Sequence, residues 1–336
     1  MAMDQNIDLT SSELSQIWGA YMNASITSKV LKYFINIVED NEIRPVIQNA
    51  LDLTQSQLTD LKAIFEKENK PVPIGFTDQD VNVDAPRLYS DNYCLQYVFQ
   101  LGSLGIYSFA ASVTVATRED IYLFFSDGLR KYNELHQKAT LISLTKGLYA
   151  RPPYIPTPNE VDFVKKQSFL RGWFGERRPL MATEIAHLFS NMQRNSLGIA
   201  TLTGFSQVVQ TKDVKEYLLR GIQIAKKHVK VFNSVLEDSQ VPTPMGSDSM
   251  VTDSMKVSPF SDKLIMFHVT GMIGLSIGFY GISISAGIRR DIAANYTRLS
   301  AEIGLYSEDG ANLMIENEWM EEPPRMIDRD ELAKSK

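Results

Sequence analysis

Apolar residues in the first forty positions keep helical time. Leu14, Ile17, Trp18 and Tyr21 stand at i, i+3, i+4 and i+7, and Leu31, Phe34, Ile35 and Val38 repeat that spacing two turns on, which predicts an amphipathic helix capped near Ser12. A second helix is expected after a short turn, from Ile43, Val46, Ile47, Ala50, Leu51, Leu58, Leu61 and Phe65 on one face. Residues 70 to 89 then lose the period and contain Pro, Gly and Asp. About 19 extended residues reach roughly 60 Å, more than the length of a 27-residue helix at about 40 Å, so this stretch is long enough to cross a bundle end to end. The crossover leaves the third helix parallel to the second.

The whole pattern recurs. Pro71, Pro73 and Gly75 return as Pro242, Pro244 and Gly246, an offset of 242 − 71 = 171. Ser90-Asp91 maps to Ser261-Asp262, Arg118 and Asp120 to Arg289 and Asp291, and Pro152-Pro153 to Pro323-Pro324, with no gap expected between them. Upstream, Glu13, Leu31, Phe34 and Val38 match Glu184, Leu202, Phe205 and Val209, with Thr183 as the second candidate cap. The chain therefore divides into a first four-helix bundle over 1–150, a linker over 151–180, a second bundle over 181–325 and a tail over 326–336. The fold class is all-α. The two bundles are expected to pack as a pseudo-twofold pair, with the basic aromatic linker RGWFGERRP laying Trp173 on them.

The third helix of each copy is unusual, because residues 92–117 and 264–288 contain no Asp, Glu, Lys or Arg. Runs of that length invite a transmembrane reading. Asn92, Gln96, Gln100 and the many Gly and Ser residues speak against it, and burial at the centre of each bundle is the expectation. In the second copy Gly271, Gly274, Gly278 and Gly281 form a stripe spaced 3, 4 and 3. Four glycines in one helix predict close approach of another helix, with a ligand groove as the other reading. The bulkier Gln100, Ser103, Tyr107 and Ala110 at the matching positions offer a face to fill that groove. Helix 4 opens at Arg118-Glu119-Asp120 and Arg289-Arg290-Asp291; in the second copy Gly304 and Asp309-Gly310 are expected to interrupt it.

Composition narrows the function classes. The 336 residues are 44% hydrophobic and 22% charged, which excludes a disordered or collagen-like chain. A net charge of -6 gives no global basic field, so no nucleic-acid partner is expected. The single cysteine, Cys94, excludes an intrachain disulfide framework and suits a reducing, cytoplasmic setting. The opening MAMDQNIDLTSS has no apolar core, and no signal peptide is expected.

Four helices in tandem duplicate, with Ser-Asp before an uncharged Gly/Ser-rich third helix, Arg-x-Asp opening the fourth and Pro-Pro closing it, resemble an uncharacterised Bacillus-type family. Its members are tandem ferritin-like four-helix bundle proteins, a domain of unknown function distantly similar to F-type spore-coat proteins. The resemblance covers nearly the whole chain. It implies the fold and a bacterial origin, and it adds a spore setting and a spore-coat partner to the expectations, but it brings no catalytic residues.

A ferritin-like iron or manganese centre needs a Glu from each of two helices and Glu-x-x-His from each of the others. One such motif exists, Glu184 to His187, and its first-copy counterparts are Glu13 and Gln16. His228 and His268 complete the weak metal candidates, at heights that the crossover topology separates. No cofactor is expected on this reading. Glu13, Glu66, Glu184 and Glu237 are read as solvated helix-terminal acids, His136 as a surface histidine and Cys94 as a buried small hydrophobe. Asp91, Arg118, Asp120, Asp262, Arg289 and Asp291 recur in both copies and are read as architectural. The function expected is that of a non-catalytic structural or binding protein, intrachain-paired and with room for a homo-oligomer; a metal-dependent oxidase with a non-standard site is the alternative.

Overall fold

The computed structural model describes residues 7–156, 158–173, 177–242, 250–253 and 257–334. Pro244 and Gly246, on which part of the repeat reading rests, lie outside them. Eight long helices form two antiparallel hairpin pairs in each half: α1 (Ser11–Ile37) with α2 (Arg44–Lys67), α3 (Asp91–Val115) with α4 (Glu119–Thr145), α5 (Ala182–Val208) with α6 (Lys212–Glu237) and α7 (Asp262–Ala286) with α8 (Arg290–Glu316). A short α9 follows at Arg329–Lys334. Three helices of the second copy begin and end 171 residues after their partners, as 182 − 11, 262 − 91 and 290 − 119 show. The protein is two tandem four-helix bundles related by internal duplication.

Each bundle is clasped at both ends by a buried or half-buried carboxylate. Glu13, in the first turn of α1, is 1% exposed. Its Oε2 accepts from the Thr10 N–H at 2.9 Å, closing a capping box, and its Oε1 accepts from the N–H groups of Thr117 and Arg118 at 2.9 and 2.8 Å, where α3 turns into α4. Glu184 repeats this, accepting from the N–H groups of Met181 at 2.9 Å and Arg289 at 3.2 Å, with Arg178 as an ion pair at 2.7 Å. At the opposite end Ser90 caps α3, and the Asp91 carboxylate accepts from Glu39 and Asp40 N–H at 3.2 and 2.9 Å, where α1 turns into α2. Ser261 and Asp262 do the same for Gln210 and Thr211, at 3.2 and 2.8 Å. These contacts put the start of α1 beside the end of α3, so α3 runs antiparallel to α1 and parallel to α2. The connectivity is that of the ferritin-like crossover.

The helix starts differ from the expected ones. Thr10 and Met181, not Ser12 and Thr183, stand at the N-cap positions, because the capping acid sits three residues on at Glu13 and Glu184. Those two acids are buried rather than solvated, whereas Glu66 and Glu237 are exposed. α8 is uninterrupted through Gly304 and Gly310. Gly310 is held in the helix by packing, since a Cβ there would meet the Tyr217 hydroxyl.

The two bundles lie side by side with the duplicate helices parallel. Tyr97 on α3 and His268 on α7, 171 apart, stack with ring centroids 5.7 Å apart, and Tyr107 meets Phe279 at 5.1 Å further along the same two helices. The Tyr89 hydroxyl donates to the Thr201 carbonyl at 2.8 Å, joining the first crossover to α5. The crossovers also pair with each other through isolated antiparallel bridges, Val81 with Phe260 and Tyr89 with Val251. Under strict duplication the second bridge would take Thr252 (81 + 171), so the pairing of the two crossovers is asymmetric by one residue there.

α3 and α7 are each long and apolar enough to cross a membrane by length and composition. They are buried less than expected, with 28% and 33% of their most apolar windows inside the protein. The N-terminal halves, with Tyr93, Cys94, Leu95 and Val98 and with Leu264, Ile265, Met266 and Val269, are core. Beyond them Tyr107, Val115, Leu275, Ile277 and Ile282 reach the surface. The linker departs similarly. Trp173 is 49% exposed, and the buried linker contact is Gly172, where a Cβ would strike the Asp291 backbone nitrogen.

Burial raises the Glu13 carboxyl, but the Thr10, Arg118 and Thr117 N–H groups and the Thr10 hydroxyl outweigh it and bring its pKa from 4.5 down to about 2. A depressed carboxyl contributes stability that is present above pH 4.5 and is lost as pH falls toward 2. Glu13→Gln is therefore predicted to lose roughly 1–3 kcal/mol in urea denaturation at neutral pH. The loss should shrink as pH falls toward 2, and a pH-independent difference would contradict the clasp.

Candidate functional site

Between the bundles, on the pseudo-twofold axis, α1, α3, α5 and α7 leave a cavity of about 300 Å³. The duplicate helices supply matched walls: Leu101 and Leu104 on α3 face Met272 and Leu275 on α7, and Ile26 on α1 faces Leu197 on α5. The matches fail at the polar positions. Asn23 in the first copy is Arg194 in the second, Gln100 is Gly271 and Tyr97 is His268. Asn23, Gly271 and Leu275 are exposed, so the mouth opens between α1 and α7.

Arg194 is largely buried and has no counterion among the described residues. Its guanidinium carbon sits 3.7 Å above the Phe279 ring, and Nη1 donates to Asn191 Oδ1 at 3.3 Å. Among the described residues no Asp or Glu forms an ion pair with it, and its buried Nε–H has no hydrogen-bond partner within the protein. Burial pushes its pKa down, yet a guanidinium stays charged at neutral pH. Arg118 and Arg289 show what such an edge ordinarily holds. Each donates Nε and Nη2 to one aspartate two residues on, at 2.7 and 2.9 Å for Asp120 and at 2.8 and 3.0 Å for Asp291.

The far end of the cavity carries His268. Its Nε2 lies 3.2 Å from the Tyr97 hydroxyl, and its buried Nδ1 has no partner within the protein. Its ring meets Phe205, which is 205 − 194 = 11 residues beyond Arg194, so about 16 Å of helix separates the two ends. The walls between are mainly apolar, with the hydroxyls of Thr201 and Ser276 occupied by carbonyls of their own helices. The arrangement offers a mainly apolar trough with a cation at one end and an imidazole at the other. It provides no nucleophile with an adjacent base.

The metal candidates are scattered. Glu184 is committed to its clasp and His187 lies partly buried near the same end of α5. His228 is buried in the second bundle, with Nδ1 2.9 Å from the Tyr280 hydroxyl and Nε2 3.2 Å from Glu302 Oε2. His268 belongs to the cavity. Among the described residues no three His, Cys, Asp or Glu side chains converge on one point.

The glycine stripe is not a packing seam. A Cβ on Gly271, Gly274, Gly278 or Gly281 would meet nothing within 4 Å, so this face of α7 is open. Only Gly271 of the four lines the cavity. His136 is partly buried against Phe99, with centroids 4.7 Å apart, rather than a free surface group. Cys94 is fully buried, and burial pushes its thiol well above the ordinary range.

Helices, duplication and crossover define a tandem ferritin-like bundle protein. The chain belongs to the DUF3231 family, described as proteins of unknown function, whose model matches it twice, over residues 1–161 and 168–332. Among solved structures, a "putative spore coat protein" from Bacillus halodurans is similar at 16% identity and a TM-score of 0.43, over 45% of this chain and 98% of that one. No curated protein matches the chain.

Burial without a compensating charge pushes the His268 pKa from 6.5 down to about 4. Because the folded protein resists protonation that the unfolded chain accepts, this group contributes stability that falls as pH drops from 6.5 toward 4. Its imidazole NMR shifts are expected to stay those of the neutral ring down to about pH 5; a midpoint near 6.5 would show the ring solvated.

Proposed function

We propose that this protein is a non-catalytic binding module whose ligand site is the trough between its two bundles. The observation that carries the reading is an apolar-walled cavity of about 300 Å³, at the small end of the range for ligand pockets, with Arg194 and His268 lining its two ends. Duplication supplies the means. Two bundles meeting on an axis build one site from both halves, and substitutions in one copy alone make it polar at its ends. Neither an oxidase nor a metal store is needed to explain any group in it.

The test is titration with 1-aminoanthracene, a neutral apolar fluorophore. Saturable binding with a blue shift is expected. Gly271→Leu, whose side chain would project into open space at the trough, should abolish it without lowering the melting temperature, since glycine costs a helix roughly 0.5–1 kcal/mol relative to alanine. Unchanged dye binding in a folded Gly271→Leu variant would exclude this site.

A further inference from the structure

The trough does not present its two ends alike, and the Arg194 end specifies a charge. A guanidinium taken out of water without a carboxylate is costly, and proteins as a rule pair it. This chain follows the rule at Arg118, Arg178 and Arg289, each held by a carboxylate at 2.7 to 2.8 Å. Arg194 departs from it while being the lone charged residue between Glu184 and Lys212. Nη1 is turned to Asn191, Nε is sealed without a partner, and among the described residues no carboxylate pairs with this guanidinium as Asp120 does with Arg118 and Asp291 with Arg289. Its equivalent in the first copy is Asn23, so the charge belongs to one wall of a site whose opposite wall is neutral.

We infer that the ligand of this trough is an unbranched aliphatic monocarboxylate of about eight to ten carbons, its carboxylate on the guanidinium of Arg194 and its chain running toward His268. The inference rests on the trough being a ligand site and adds the ligand's class. The charge of the ligand supplies what Arg194 lacks, and the planar fork of the guanidinium matches the two oxygens of a carboxylate. Leu101, Leu104, Leu197, Met272 and Leu275 then face methylene groups along the roughly 16 Å between the ends. The cavity of about 300 Å³ limits the size, since at roughly 30 Å³ per heavy atom it holds about ten, the eight carbons and two oxygens of the shortest such acid. A longer chain must leave by the mouth at Gly271.

The experiment is displacement of 1-aminoanthracene from the full chain by decanoate and by 1-decanol, which share a tail and differ in charge. Decanoate is expected to bind at least tenfold more tightly than decanol at neutral pH. Arg194→Gln should remove that preference, weakening decanoate tenfold or more and leaving decanol and the dye within twofold. A second readout separates a ligand contact from mere packing: Arg194→Gln should melt no lower than the parent without ligand, and only the parent should gain melting temperature with decanoate. Equal binding of decanoate and decanol to the parent, or an equal loss of both in a folded Arg194→Gln variant, would overturn the carboxylate assignment while leaving the trough as a site. Failure of dye, alcohol and acid alike to bind the parent would instead remove the trough itself.

Discussion

A carboxylate in the first turn of one hairpin, accepting backbone N–H groups from the corner of the other, is the interaction on which this architecture depends. Glu13 reaches the α3–α4 corner and Asp91 reaches the α1–α2 corner, so each hairpin clasps the other at opposite ends. Helix ends and tight corners leave backbone donors without partners, and burying them uncapped is expensive. The reciprocal exchange meets that need twice per bundle. It also selects topology, because it works only when the start of α1 lies beside the end of α3, and that geometry requires the long crossover.

Duplication carried the clasping acids over, as Glu184 and Asp262, with Arg178 added as an ion pair at Glu184. With the ends of each bundle fixed, the surfaces between bundles were free to diverge. They diverged on the pseudo-twofold axis, where identical residues would face their own copies. Tyr97 meets His268, and Asn23, Gln100 and Thr27 are opposed by Arg194, Gly271 and Gly198 around one cavity. The missing charge of the third helices has a physical reason in their N-terminal halves, which are core, where a charge would be buried unpaired.

Much of this was legible in the sequence, and the parts that were not have physical reasons. The fold follows from periodicity and the 171-residue offset because helix faces and repeats are local and cumulative signals. Asp91, Arg118 and Asp120 stood out through recurrence, but the Glu39 and Asp40 N–H groups that Asp91 holds did not, since backbone donors leave no trace in residue identity. Glu13 and Glu184 read as solvated acids for the same reason: the corner that buries them is a hundred residues away. The glycine stripe suggested close packing, yet small residues mark equally well a face kept clear, and only the position of the neighbouring rings distinguishes the two. The cavity was invisible because its walls come from four helices. One signal was present, an isolated arginine in an otherwise uncharged stretch of α5, and its meaning depended on knowing that residue 194 faces residue 23.

The central claim is that the two bundles share one ligand site. Nuclear Overhauser effects between bound 1-aminoanthracene and the methyl groups of the protein test it most directly. The account predicts contacts from Leu101 and Leu104 of the first bundle together with Leu197, Met272 and Leu275 of the second. Contacts confined to one bundle, or to the exposed residues Leu123, Leu141 and Leu305, would contradict it.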